Sequence, residues 1–195
     1  MRVKICGITN IEDALVAIKA GADALGFVFY EKSPRYIEPS KALKIVKQLP
    51  PFVEKVGLFV NCTAKEISST CRASKMSLAQ IHFEAEDELY ENLDIAYVRV
   101  IRATCRDDLL KYSDKYRIVD AFVEGYGGEG KRVDLSWFEG IDCSKIILAG
   151  GLSCNNIDEV KKLGFYALDI SSGVEKSKGV KDSKKVYEFI KRANN

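Results

Sequence analysis

A chain of 195 residues that is 47% hydrophobic can bury one sizeable core and does not force a second domain. Its formal charge of +2, with acids and bases interleaved, argues against nucleic acid and anionic membrane surfaces as partners. No apolar run approaches the roughly 20 residues of a membrane span, and Arg2 and Lys4 break any early apolar run, so no leader is expected.

Six cysteines, Cys6, Cys62, Cys71, Cys105, Cys143 and Cys154, show no CxxC spacing, and His82 is the one histidine available to join them. A zinc site is therefore not expected. A cytosolic chain of this size does not need disulfides, so reduced thiols and a cytoplasmic location are expected.

The first strand, over 2–6, alternates Arg2, Lys4 and Cys6 with Val3 and Ile5. Period two puts Lys4 and Cys6 on one face, with a thiol at the carboxyl end. Read alone, Cys6 is either a reactive group or the small buried hydrophobe that most free cysteines are. Thr9 and Glu12 have capping-box spacing for a helix over 10–20 that Gly21 stops. The apolar run 24–29 reads as a strand buried on both faces. A loop with Ser33-Pro34-Arg35-Tyr36 and a helix over 40–49 follow, stopped by Pro50-Pro51. Then come a strand over 56–60, a helix opened by the Thr63–Glu66 box, a strand over 78–81 ending beside His82, and a weak helix over 87–93. A strand over 96–100 and a helix over 107–116 complete the first five units.

The rhythm persists. A strand over 117–121 carries Asp120 near its end, before a glycine-rich loop, Gly125 to Gly130. A short helix near 136–139, a strand over 145–148 and the turn Ala149-Gly150-Gly151-Leu152 follow. A helix over 155–163, a strand over 167–170, the turn Ser171-Ser172-Gly173-Val174 and a helix over 182–193 end the chain. Eight strand–helix units imply a parallel sheet with right-handed crossovers, and fit a single-domain (β/α)8 TIM barrel over 1–195. The chain is short against roughly 250 residues for that fold, so its loops must be lean. An open doubly wound sheet is the alternative.

In a barrel, active sites lie at the carboxyl ends of the strands. Cys6, Arg35, His82, Asp120, Gly150, Gly151, Asp169, Ser172 and Gly173 all fall there. Glycine turns after the last two strands suit a phosphate, because backbone N–H groups can approach an anion closely; tight-turn glycines are the bland alternative.

The ordered set Lys4-Ile5-Cys6-Gly7-Ile8-Thr9, Ser33-Pro34-Arg35-Tyr36, Val56-Gly57-Leu58-Phe59-Val60-Asn61, Ala149-Gly150-Gly151-Leu152, Asp169 to Glu175 and Gly179-Val180-Lys181-Asp182 resembles the phosphoribosylanthranilate isomerase family. The resemblance spans the whole chain. It implies an Amadori rearrangement of N-(5-phosphoribosyl)anthranilate in tryptophan biosynthesis, without metal or organic cofactor. It also implies Cys6 as general base, Asp120 as general acid, Arg35 on the anthranilate carboxylate, and Gly150, Gly151, Ser172 and Gly173 around the phosphate. His82 and Asp169 are implied near the ligand. Lys4 is expected to lower the Cys6 pKa or to pair with a carboxylate such as Asp169. Asp120 needs burial or the substrate's charges to stay protonated.

Three departures stand out: Phe83 after His82 where the family has glycine, Glu129 in place of threonine, and Val133-Asp134-Leu135 in place of Phe-Asp-Trp, with Trp137 following. Glu129 would bring a charge near the substrate unless it faces solvent, and Phe83 would narrow the rim. A barrel isomerase of the histidine-biosynthesis type is a second reading, although that family uses two aspartates. A non-catalytic phospho-ligand barrel is a third. The expected partner is a phosphosugar, with the chain a monomer or weak homodimer.

Overall fold

β1 (Arg2–Cys6) pairs in parallel with both β2 (Ala24–Val28) and β8 (Ala167–Ile170) in the computed structural model, which describes residues 1–121 and 132–195. That double pairing closes the sheet. Between them run β3 (Glu54–Phe59), β4 (Leu78–Ile81), β5 (Tyr97–Ala103), β6 (Arg117–Ala121) and β7 (Ile146–Ala149), giving a closed eight-stranded parallel barrel. The doubly wound alternative falls, because an open sheet has no bond between its first and last strands.

Strand parity separates two apolar clusters. Val98, Val100, Ile118 and Ala149 form a small inner cluster, with Leu78 and Ile147 against it. Val3, Ile5, Leu25, Phe27, Ile81, Val119, Leu148 and Leu168 point the other way, into the larger cluster under the helices. The inner face becomes polar toward the carboxyl ends, where Lys4, Gln80, Asp120 and Asp169 are buried. The outer cluster fixes the register, since a one-residue slip would move every side chain to the opposite face.

The helices are α1 (Ile11–Ala20), α2 (Pro39–Val46), α3 (Ala64–Ser74), α4 (Asp87–Glu91), α5 (Ile157–Val160) and α6 (Ser183–Asn194). The Thr63–Glu66 capping box forms as expected. The cap of α1 does not: Asn10, not Thr9, accepts from the Asp13 N–H. Thr9 instead donates its hydroxyl to the Gly179 carbonyl at 2.7 Å. Helix α2 stops at Val46, short of 49, because Leu49 precedes a proline and is pushed out of the helical region.

The expected helices over 107–116 and 155–163 shrink. Where 107–116 was expected, the chain makes one 3-10 piece, Arg106–Leu110, and turns left-handed at Tyr112 (φ 53). The second becomes α5 continued by a 3-10 turn at Lys161–Leu163, while the short helix expected near 136–139 keeps its length as a 3-10 piece at Leu135–Phe138. One element was not anticipated: an antiparallel hairpin of β9 (Glu175–Ser177) and β10 (Val180–Lys181). No helix among the described residues is long and apolar enough to cross a membrane.

Candidate active site

The ends of β1, β4, β6, β7 and β8 bring Cys6, His82, Asp120, Gly150 and the turn after Ile170 to one mouth of the barrel. Cys6 is buried beside Gly26 of β2, its register partner. A Cβ at position 26 would lie 2.8 Å from the Cys6 Sγ and 3.0 Å from the Lys4 Nζ. Glycine there is what gives the thiol and the ammonium room side by side.

Lys4 donates to the Asp169 Oδ2 at 2.7 Å, across the β1–β8 seam. Burial works against the Lys4 charge, but Asp169 and Cys6 outweigh it and hold its pKa above the ordinary value. The ion pair with Asp169 is thus the one expected. The expected fall in the Cys6 pKa is not found. Burial is the larger effect and pushes the thiol up; Lys4 and Lys181 oppose it, and Asp169 adds to it.

Asp120 behaves differently. Burial, helped by the negative charge of Asp169, raises its pKa to about 7, with the Ala121 N–H, Arg102 and Lys4 pulling the other way. The His82 Nε2 lies 3.8 Å from its Oδ2. Burial, then Arg102 and Lys4, lower His82 to about 4, so it is neutral at physiological pH. The Gln80 side-chain amide hydrogen-bonds His82 Nδ1 at 3.2 Å. Gln80 and Asp120 thus flank the two ring nitrogens of His82.

Arg35 lies across the turn after Cys6. A Cβ on Gly7 (φ 79) would meet its Cδ at 2.7 Å. Its Nε and Nη2 donate to Glu175 Oε1 and Oε2, both at 2.8 Å. One edge of its fork is therefore committed within the chain, which the sequence reading missed. Gly150 (φ 83) and Gly151 (φ 61) are successive left-handed residues after β7. Gly173 presses against the Leu152 carbonyl, where any Cβ would collide with backbone. The turns after β7 and β8 thus approach backbone to backbone, with Ser172 exposed between them.

Phe83 is buried in the outer cluster, not at the mouth, so it does not narrow the rim. Val133 is buried there too, and Trp137 packs against it. The loop from Gly125 to Gly130, including Glu129, lies outside the described residues. Site-lining residues that sequence reasoning left without a role are Gly26, Gln80, Ser171, Glu175 and Lys181. The last three sit in quoted motifs, and that was the signal available for them.

A closed parallel barrel that gathers a thiol, a carboxyl group titrating near 7 and two glycine turns at one mouth has the framework that acid–base chemistry on a phosphosugar, such as aldose–ketose isomerisation, requires. The family model described as N-(5'-phosphoribosyl)anthranilate (PRA) isomerase matches residues 3–192. The N-(5'-phosphoribosyl)anthranilate isomerase of a Nitratiruptor species is 63% identical over 99% of this chain and 98% of its own. A crystal structure of a phosphoribosylanthranilate isomerase in complex with reduced 1-(o-carboxyphenylamino)-1-deoxyribulose 5-phosphate is 35% identical, with TM-score 0.85, covering 100% of this chain and 98% of that one. A structure of monomers generated from the dimeric Thermotoga maritima isomerase is 35% identical, with TM-score 0.86 and the same coverage. The chain belongs to the N-(5'-phosphoribosyl)anthranilate isomerase family, and it is an isomerase of tryptophan biosynthesis.

Proposed function

We propose that Asp120 is the general acid and Cys6 the general base of the Amadori rearrangement. Asp120 protonates the furanose ring oxygen, and the ring opens to a Schiff base. Cys6, as thiolate, removes the proton from C2 of the sugar. The enolamine then takes a proton at C1 and becomes the ketone. One acid and one base facing a common lumen are enough. The observation that carries this reading is the Asp120 pKa of about 7, which keeps a large share of the group protonated at neutral pH. Lys4, between Cys6 and Asp169, favours the thiolate against the cost of burial.

The remaining roles follow the same geometry. The turns holding Gly150, Gly151, Ser172 and Gly173 cradle the phosphate with backbone N–H groups. Arg35 takes the anthranilate carboxylate on the edge of its fork that Glu175 leaves open, Nη1 and the second Nη2 hydrogen. His82 and Asp169 line the ligand, His82 as a neutral imidazole. All 195 residues serve as one unit, in the cytoplasm; the free state of all six cysteines supports that location. The test is anthranilate fluorescence on enzymatically generated phosphoribosylanthranilate: the signal should decay with enzyme, and an unchanged trace refutes the activity.

Assembly as a weak homodimer is part of this reading. Phe52 (φ 67) is fully exposed after Pro50-Pro51, on the face where a cavity of about 480 Å³ opens between the amino ends of the strands. An apolar ring so placed suits a second copy of the chain. Sedimentation should find wild type partly dimeric and Phe52→Glu monomeric; identical profiles would exclude this interface.

A further inference from the structure

The β9–β10 hairpin is more heavily tied down than a connector needs to be. Lys181 on β10 pairs with Glu175 on β9, Nζ to Oε1 at 2.9 Å. The same ammonium lies 3.3 Å from the Ser171 carbonyl and 3.4 Å from its hydroxyl. Ser171 in turn donates to the Cys6 carbonyl at 3.1 Å. The Lys181 N–H donates to Asp13 at 2.8 Å, and Lys185 caps the Glu175 carbonyl at 2.9 Å. One buried carboxylate thus sits between two buried cations, Arg35 and Lys181, against the strand end that carries the thiol.

We infer that Glu175 is a positioning residue, which grips the Nε–Nη2 edge of the Arg35 guanidinium so that the adjacent Nη1–Nη2 edge faces the carboxylate of the substrate. This rests on the assignment of Arg35 proposed above. A guanidinium has five N–H donors in a rigid plane. Glu175 takes Nε and one hydrogen of Nη2, in two parallel bonds of 2.8 Å. Two parallel bonds fix both the direction and the plane of the fork, which one bond cannot do. The Arg35 stem is held over Gly7, and its backbone N–H donates to the Ser33 hydroxyl at 3.1 Å, so rotation about the stem is restricted as well. The open edge is then a fixed, planar receptor for a planar carboxylate beside Cys6. Lys181 balances the charge: Glu175 holds two cations, and its carboxylate stays ionised because Arg35 and Lys181 outweigh the effect of burial. With that negative charge gone, Arg35 and Lys181 would repel, and the fork would lose its plane.

The test separates orientation from mere structural support. The probes are the reduced carboxyphenylamino product analogue and the same compound without its ring carboxylate. Inhibition constants for both are measured on wild type, Arg35→Met, Glu175→Gln and Glu175→Asp. Wild type should prefer the carboxylated probe by roughly 100-fold, the scale of a bidentate charged pair, and Arg35→Met should abolish the preference. Glu175→Gln should cut that preference about tenfold while leaving the constant for the other probe within about twofold, since the phosphate turns are untouched. Glu175→Asp keeps the charge but withdraws the oxygens by one methylene; it should also lower the preference, and it carries the test if the glutamine variant does not fold. A wild-type preference in both Glu175 variants overturns the inference, as does equal weakening of both probes. No preference in wild type, or an unchanged one in Arg35→Met, overturns the Arg35 assignment itself.

Discussion

Asp120→Asn should stabilise the protein above neutral pH while removing its activity. The carboxyl group is held at about 7 against an ordinary 3.8, so ionising it inside the barrel costs free energy that the unfolded chain does not bear. At 1.36 kcal/mol per pH unit the full cost is about 4 kcal/mol. The sign is that of a raised folded pKa: the penalty is absent below 3.8, grows between 3.8 and about 7, and is complete above it. Between pH 5 and pH 8 the wild type should therefore lose about 2.5 kcal/mol from this group. Asparagine has nearly the shape of the protonated acid and bears no such cost. Urea unfolding of both proteins at the two pH values reads the difference directly. The asparagine variant should gain about 2.5 kcal/mol relative to wild type on going from pH 5 to pH 8. Its kcat should be lower by at least roughly 100-fold at either pH. In wild type, kcat/KM should rise with pH below about 7, as Cys6 thiolate accumulates, and flatten above it, where loss of the Asp120 proton offsets that gain. A stability gap that does not change with pH would refute the claim that burial keeps Asp120 protonated.

Cys6→Ala should lower kcat by at least roughly 100-fold with the fold intact, because the base is gone while a small apolar residue fills its place; near-wild-type turnover would move the base elsewhere. In D₂O, wild type should place solvent deuterium at C1 of the product, and its absence would contradict the enolamine step. Arg35→Lys keeps the charge but loses both the grip on Glu175 and the open fork, so KM should rise roughly tenfold or more; an unchanged KM would mean that no bidentate contact is made. Gly151→Asp adds a side chain at a left-handed position and a like charge beside the phosphate, so KM should rise far more than stability falls. An unchanged KM there would count against the phosphate site.

The strands could be read from the sequence because they are governed by local pattern. Lys4 and Cys6 alternate with Val3 and Ile5, and that parity reappears as the inner and outer faces of β1. The Thr63 box needs nothing beyond its own first turn. Helix lengths were less legible. Residues 107–116 read as a helix, yet the chain keeps one 3-10 piece and turns left-handed at Tyr112. What only the tertiary structure decided is electrostatic. Lys4 meets Asp169 across 165 residues of chain, and Arg35 meets Glu175 across 140, so no local spacing announces either pair. The pKa directions depend on the same closure. From Lys4 alone the Cys6 thiol should ionise more easily, but burial inside the completed barrel outweighs the ammonium. Burial likewise turns Asp120 from an ordinary carboxylate into an acid of about 7. Side-chain identity sets which charges are present; only the closed barrel sets how much water remains around them, and desolvation is the largest single force on Lys4, Cys6, His82 and Asp120.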